Sequence, residues 1–206
     1  MPQHSEHAPS PNTTAAQEAH TPTQNGVRAG ESTPHDFDFL MGPWHIRNTR
    51  LVHRLAGCTD WETFDATGTA RPLPGGIGNC DDFIPATWKP GYVGMSLRVF
   101  SPASRRWSIY WLDNATGGLD PATGLLQRPV VGGFSAGRGV FEGDDMLDGR
   151  PVRVRFEWSA MHTGAPRWEQ AFSGDGGLTW ETNWVMEFKR PHAGTAVAPR
   201  GDSGPV

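Results

Sequence analysis

The sequence predicts an all-β fold: a single antiparallel up-and-down β-barrel of about ten short strands, with a disordered tail at each end. Three observations carry the prediction. Gly and Pro, 26 and 18 of the 206 residues, punctuate the interior roughly every 8 to 14 residues, the rhythm of short strands and turns. The segments between them alternate with period two and lack apolar residues at helical spacing. All nine tryptophans fall inside this punctuated region, most of them on the apolar side of an alternating segment,.

The length suits one ordinary domain, and nothing in the interior reads as a linker between two,. Residues 1–35 are rich in Pro, Thr, Ser, Ala, Gln and His and nearly free of large apolar residues, so they bury too little surface to offset their ordering entropy,. Residues 191–206 repeat that composition with Gly, Ala and Pro, which leaves 36–190 as the folded domain,. Eighteen Lys plus Arg against 22 Asp plus Glu give a net charge of -4 without a basic stripe, so nucleic acid is an unsuited partner,. The chain shows neither the apolar core of a signal peptide nor a membrane-spanning apolar run, and a soluble cytoplasmic protein is expected. Cys58 and Cys80 are too few for a disulfide framework and lack zinc spacing, so reduced thiols are expected,. The partners left open are a small-molecule ligand and a second copy of the chain in a homodimer.

The expected strands are Trp44–Leu55, Thr59–Gly68, Gly76–Ile84, Val93–Ser101, Arg106–Asn114, Pro129–Phe134, Gly139–Met146, Pro151–Ser159, Arg167–Ser173 and Thr179–Lys189,. Asp148-Gly149 suits a type I′ hairpin, Ser101-Pro102-Ala103-Ser104 a Pro-directed turn, and Asp175-Gly176-Gly177 supplies positive φ,. Strands joined by such turns pair with their neighbours, and a meander of this many strands loses its exposed edges most simply by closing on itself.

Alternation also sorts side chains by face. Val152, Val154, Phe156 and Trp158 share one side of a strand, as do Trp107, Ile109 and Trp111 upstream,. Trp168, Gln170 and Phe172 lie together on the next strand, and Trp180, Thr182, Trp184, Met186 and Phe188 on the last. Burial points these faces inward. A barrel of this strand number is wider than side chains alone need to fill, so an internal cavity is expected. The polar members of the inward series, Asn48, Arg50, Asn79, Asp81, Gln170 and Thr182, would need partners if buried dry, which favours a cavity over a solid interior,.

The opening Asp38-Phe39-Leu40-Met41-Gly42-Pro43-Trp44 resembles the D-F-L-x-G-x-W start of a large group of bacterial lipocalin-like domains, related to the calycin barrels and to fatty-acid-binding proteins in architecture. Gly75 to Asp82, Ser101 to Trp111 and Asp175 to Glu181 fit the same group. The resemblance implies the barrel, and for the group it implies no agreed reaction. Nitrobindin, a haem-binding relative of this architecture, is similar in Gly42-Pro43-Trp44, but its iron ligand is a histidine near the barrel's end. Here no expected strand after Gly139 contains one, since His162 and His192 fall in a turn and a tail, so haem and other cofactors are not expected. The sequence departs from the group between Asp120 and Arg128, which reads as extra loop: a lid at the barrel mouth, or an idle insertion,.

Several local patterns read more simply as turns than as chemistry. Gly133-Phe134-Ser135-Ala136-Gly137 matches a hydrolase nucleophile elbow, but strand-like segments on both sides make it a hairpin,. Ser173 to Trp180 matches the Asp-box, a turn motif that occurs here once and not at propeller-blade spacing,. Asp144, Asp145 and Asp148 crowd one turn without calcium-loop spacing, and His45 and His53 lie too far apart along one strand for one metal, so no metal site is expected,.

Two functional readings follow. In the first, the barrel binds a small apolar or aromatic molecule between Trp107, Trp111, Trp158, Trp168 and Trp184, with Asn79, Asp81, Gln170 and Arg50 orienting it. In the second, a cofactor-independent isomerase, cyclase or lyase uses Asp81 as general acid or base, desolvation among the indoles raising its pKa.

Overall fold

A computed structural model describes residues 32–191. They form ten antiparallel strands: β1 (Gly42–Leu51), β2 (Trp61–Pro72), β3 (Gly78–Phe83), β4 (Gly94–Ser101), β5 (Arg106–Asp113), β6 (Val130–Ser135), β7 (Arg138–Leu147), β8 (Arg150–Ser159), β9 (Arg167–Ser173) and β10 (Glu181–Lys189). Each pairs with its neighbours in sequence, and β1 also pairs with β10, closing the barrel. The expected all-β up-and-down barrel is therefore the observed fold. The largest departures in strand ends are at β2, which runs on past Gly68 to Pro72, and at β1, which stops at Leu51 because Leu55 and Gly57, with φ of 52° and 66°, turn the chain over Val52–Asp60. Among the described residues no helix is long and apolar enough to cross a membrane.

The tight turns have the chemistry expected of them. Asp148-Gly149 (φ 50° and 75°) connects β7 to β8, and Ala136-Gly137 (φ 49° and 75°) connects β6 to β7. Both are two-residue loops whose positive φ values match the twist of the paired strands. Ser135, the serine of the hydrolase-like pattern, thus ends β6 in a hairpin. In the Asp-box turn the Asp175 carboxylate accepts from the Leu178 and Thr179 amides and the Thr179 hydroxyl, tying β9 to β10. His162 lies in a short 3-10 turn (Met161–Thr163), and His192 falls outside the described residues.

One end of the barrel is sealed by the chain that precedes β1. Ser32–His35, assigned to the N-terminal tail by composition, is ordered: Ser32 is 1 % exposed, its Oγ accepts the Phe134 amide at 2.8 Å, and the Thr33 carbonyl accepts the Trp107 indole N–H at 3.2 Å. The composition rule missed this segment because backbone and hydroxyl hydrogen bonds hold it, with Phe37 as its apolar anchor. The remaining tail residues, 1–31 and 192–206, lie outside the described residues. Phe37 enters the barrel edge-on to Trp107 and Phe134, with ring centroids 4.9 Å away in each case, and lies near Phe141 and Trp158. Asp38–Leu40 then forms a 3-10 turn, and the Leu40 carbonyl accepts the Trp44 indole N–H. Arg190, just past β10, places its guanidinium 3.6 Å from the centre of the Trp44 ring and donates to the Pro43 and Phe39 carbonyls. The Asp38–Trp44 motif is thus the floor of the barrel, latched to the strand that closes it.

Candidate functional site

Above that floor the interior stays open. A cavity of about 550 Å³ lies between the strands, within the range of small-molecule pockets,. Its walls are the inward faces that alternation assigned: Trp111 and Ile109 from β5, Val154, Phe156 and Trp158 from β8, and Trp168 and Gln170 from β9. Strand β10 adds Trp184, Met186 and Phe188. Trp168 packs edge-on to Phe156 and Trp184, with centroids 4.9 and 6.0 Å away, so the indoles brace one another around the opening. Trp111 reaches its place because β4 opposes it with Gly94; a Cβ there would overlap the Trp111 ring.

Four of the five predicted tryptophan walls, Trp111, Trp158, Trp168 and Trp184, line the cavity; Trp107 does not. Its side chain points inward as expected but one level lower, fully buried in the floor among Phe37 and Phe100. Alternation gives the face of a strand, whereas height along the barrel axis depends on register between strands.

The predicted polar groups separate in the same way. Gln170 lines the cavity and donates from Nε2 to Asn183 Oδ1 at 2.8 Å. Asn183 is fully buried because a bulge between Thr182 and Trp184 carries two successive residues across the β9 ladder,. The same bulge turns Thr182 outward, contrary to expectation. Asn48 is buried beneath Trp184 and accepts its indole N–H at 3.0 Å.

Arg50, expected among the groups that orient a ligand, is not on the cavity lining. It bonds Glu62 at 3.0 Å and sits between the Trp88 and Trp184 rings, 5.3 Å from each centroid. Its place is behind the Trp184 wall and not on the cavity surface. Trp88 completes this brace by stacking on Phe64 with centroids 4.3 Å apart and donating to Glu62.

Asp81 does face the cavity, yet not as an isolated acid among indoles. Its Oδ2 accepts from Arg98 at 2.6 Å and its Oδ1 accepts the Ser96 amide at 3.0 Å. Arg98, only 4 % exposed, also donates to Asn79 Oδ1 at 3.0 Å and lies over the Phe37 ring, 5.1 Å from its centroid. Asn79 is therefore a buried support for Arg98 and not part of the cavity surface. Each oxygen of the carboxylate that the enzymatic reading assigns as acid or base thus already accepts one hydrogen bond.

Arg98 is the residue that sequence reasoning missed. In β4 the apolar alternation Met95, Leu97, Val99 argues for the opposite face, and Leu97 and Val99 are in fact half-buried on the outside. The usable signal was Asp81 itself, since an inward carboxylate calls for an inward cation.

At the mouth the loop after β5 folds over itself through a Leu119–Leu126 bridge and brings Asp120, Gln127 and Arg128 to the cavity edge. The extra 120–128 stretch is thus part of the rim. Amides of Thr123 and Ala122 donate to the Asp120 carboxylate and hold it below its ordinary range. Asp144, Asp145 and Met146 of β7 also line the cavity, beside the start of β6 into which this loop leads. Asp144 pairs with Arg153 at 3.0 Å. Desolvation raises the Asp145 carboxyl despite the nearby Arg54 guanidinium, which acts the other way. Large apolar side chains stand exposed at this end, among them Leu125 (69 %), Met146 (60 %) and Leu178 (85 %). Among the described residues no group of three or more His, Cys, Asp or Glu converges in a way that could hold a metal.

No family model matches the chain, and no curated protein does.

Proposed function

We propose that this barrel binds a small, largely apolar or aromatic molecule. The observation that carries the reading is the 550 Å³ cavity walled by Trp111, Trp158, Trp168 and Trp184. Offset and edge-on packing of a ligand ring against several indoles adds about 0.5–1.5 kcal/mol per contact to the gain from burying apolar area. Gln170 and the Asp81–Arg98 pair are among the polar groups on that surface able to orient the guest.

Titration with Nile red, an uncharged solvatochromic dye, tests this. Saturable blue-shifted emission and quenching of the intrinsic tryptophan signal are expected, and Ile109→Trp, whose larger ring narrows the cavity, should weaken the binding while the fold is retained by circular dichroism. Binding undiminished by Ile109→Trp would place the dye elsewhere and remove the reading.

A further inference from the structure

The barrel wall is interrupted beside the cavity. Strands β5 and β6 pair only through residues 107–109 and 130–132, and β6 meets β7 only through 131–135 and 138–142. Above that level, 110–113 of β5 and 143–147 of β7 have no strand between them, and Pro129, which offers no N–H, stands where β6 would continue,. The loop that leads into β6 takes the place of the missing ladder. Among the described residues, the hydrogen bonds of 115–128 all stay inside 113–127. Asp120 N–H donates to the Leu125 carbonyl at 2.8 Å and Gln127 N–H to the Gly118 carbonyl at 2.9 Å, while the Asp113 and Asp120 carboxylates hold the amides that follow them. None of these bonds reaches β7. Leu119, Leu125 and Leu126 are 43 %, 69 % and 42 % exposed, so little apolar burial fastens the loop either,.

The other loops at this end are tied down. The Leu55 amide donates to Glu181 at 2.7 Å, the Trp88 indole to Glu62 at 3.0 Å, and Leu55, Trp88 and Tyr92 pack on the core. None of residues 52–60, 84–93 or 174–180 lines the cavity. Its rim comes from the untied loop, through Asp120, Gln127 and Arg128, and from Asp144, Asp145, Met146 and Pro151 beside it. Resting on the binding function above, we propose that the ligand enters and leaves sideways, through the wall between β5 and β7, and that residues 115–128 are the door. The door turns as a unit on Gly117 and Gly118, whose φ values of 72° and 68° place two glycines in succession in the left-handed region,. Gly118 lies so close over β5 that a Cβ would stand 2.5 Å from the Trp111 carbonyl oxygen, which fixes the pivot. Swinging this panel breaks no strand ladder, whereas opening the wall elsewhere would break several hydrogen bonds, each with a net value of about 0.5–1.5 kcal/mol.

Fixing the door tests the proposal on the full chain. Gln127→Cys and Met146→Cys, in a background of Cys58→Ser and Cys80→Ser, are joined by a short bismaleimide after Nile red has been loaded. Dye release on dilution should slow about tenfold or more relative to the same protein without the cross-link. Release at an unchanged rate overturns the proposal. In a second variant Asn-Gly replaces residues 119–126, joining Gly118 to Gln127, which already share a hydrogen bond,. Association and dissociation should both accelerate about tenfold while the dissociation constant changes much less, because a door sets the barrier and not the bound state. Unchanged rates, or faster dissociation alone, contradict a door and leave the binding function standing. Absence of Nile red binding to the unaltered protein removes both. If one variant does not fold or cross-link, the other decides.

Discussion

The two ends of this barrel are built from the same residue types and behave oppositely. At the floor Phe37 packs edge to face on Trp107, Phe134 and Trp158 and stacks on Phe141, and Phe37, Trp107 and Phe141 are no more than 1 % exposed. At the mouth Trp111, Trp168 and Trp184 stand around open space, with apolar side chains exposed on the surrounding loops. The difference comes from one segment. The chain before β1 turns back into the lower end and supplies Phe37 as a plug, whereas among the described residues no element enters from the upper end. Aromatic content alone therefore does not distinguish a core from a binding wall; what fills the space between the rings does.

The contrast is broken most severely by removing the plug. Phe37→Ala should cost about 3–5 kcal/mol of stability, seen as a lowered denaturation midpoint, because the cluster around Phe37 cannot collapse onto the vacated volume. A loss under about 1 kcal/mol would mean that the floor is not a packed unit. At the upper level Gly94→Ala forces the Trp111 ring off β4 and into the cavity. Nile red affinity should fall on the order of tenfold, the 1.4 kcal/mol scale of an aromatic wall. Undiminished affinity would show that Trp111 is not part of the wall.

The smallest expected effect is electrostatic and confined to the rim. Desolvation raises the folded-state pKa of Asp145, so the folded protein holds that proton more tightly than the unfolded chain. Its contribution accordingly becomes unfavourable as pH rises from the ordinary carboxylate range through the raised value, and it vanishes below both. Asp145→Asn should raise the melting temperature slightly at pH 7 and leave it unchanged at pH 3. A gain at pH 3 equal to that at pH 7 would rule out the carboxylate as its source.

Much of the floor-and-mouth architecture was legible in the sequence, for reasons that particular residues make plain. Turns such as Asp148-Gly149 require positive φ, and Val152 through Trp158 can satisfy burial on only one face, so strands and faces followed directly. Three features were not legible. Trp107 and Trp111 share a face and differ only in height, which local sequence does not encode. The β10 bulge leaves no trace in a period-two pattern, which puts Asn183 outward and Thr182 inward. Arg98 lies inward against the apolar alternation of its own strand, because Asp81, Asn79 and the Phe37 ring together offset its desolvation.

The central claim, an aromatic cavity over a solid aromatic floor, is tested most directly by intermolecular nuclear Overhauser effects between bound Nile red and the indole rings. The account predicts cross-peaks from the ligand to Trp111, Trp168 and Trp184 and none to Trp107. Cross-peaks to Trp107, or to none of the four, would contradict it.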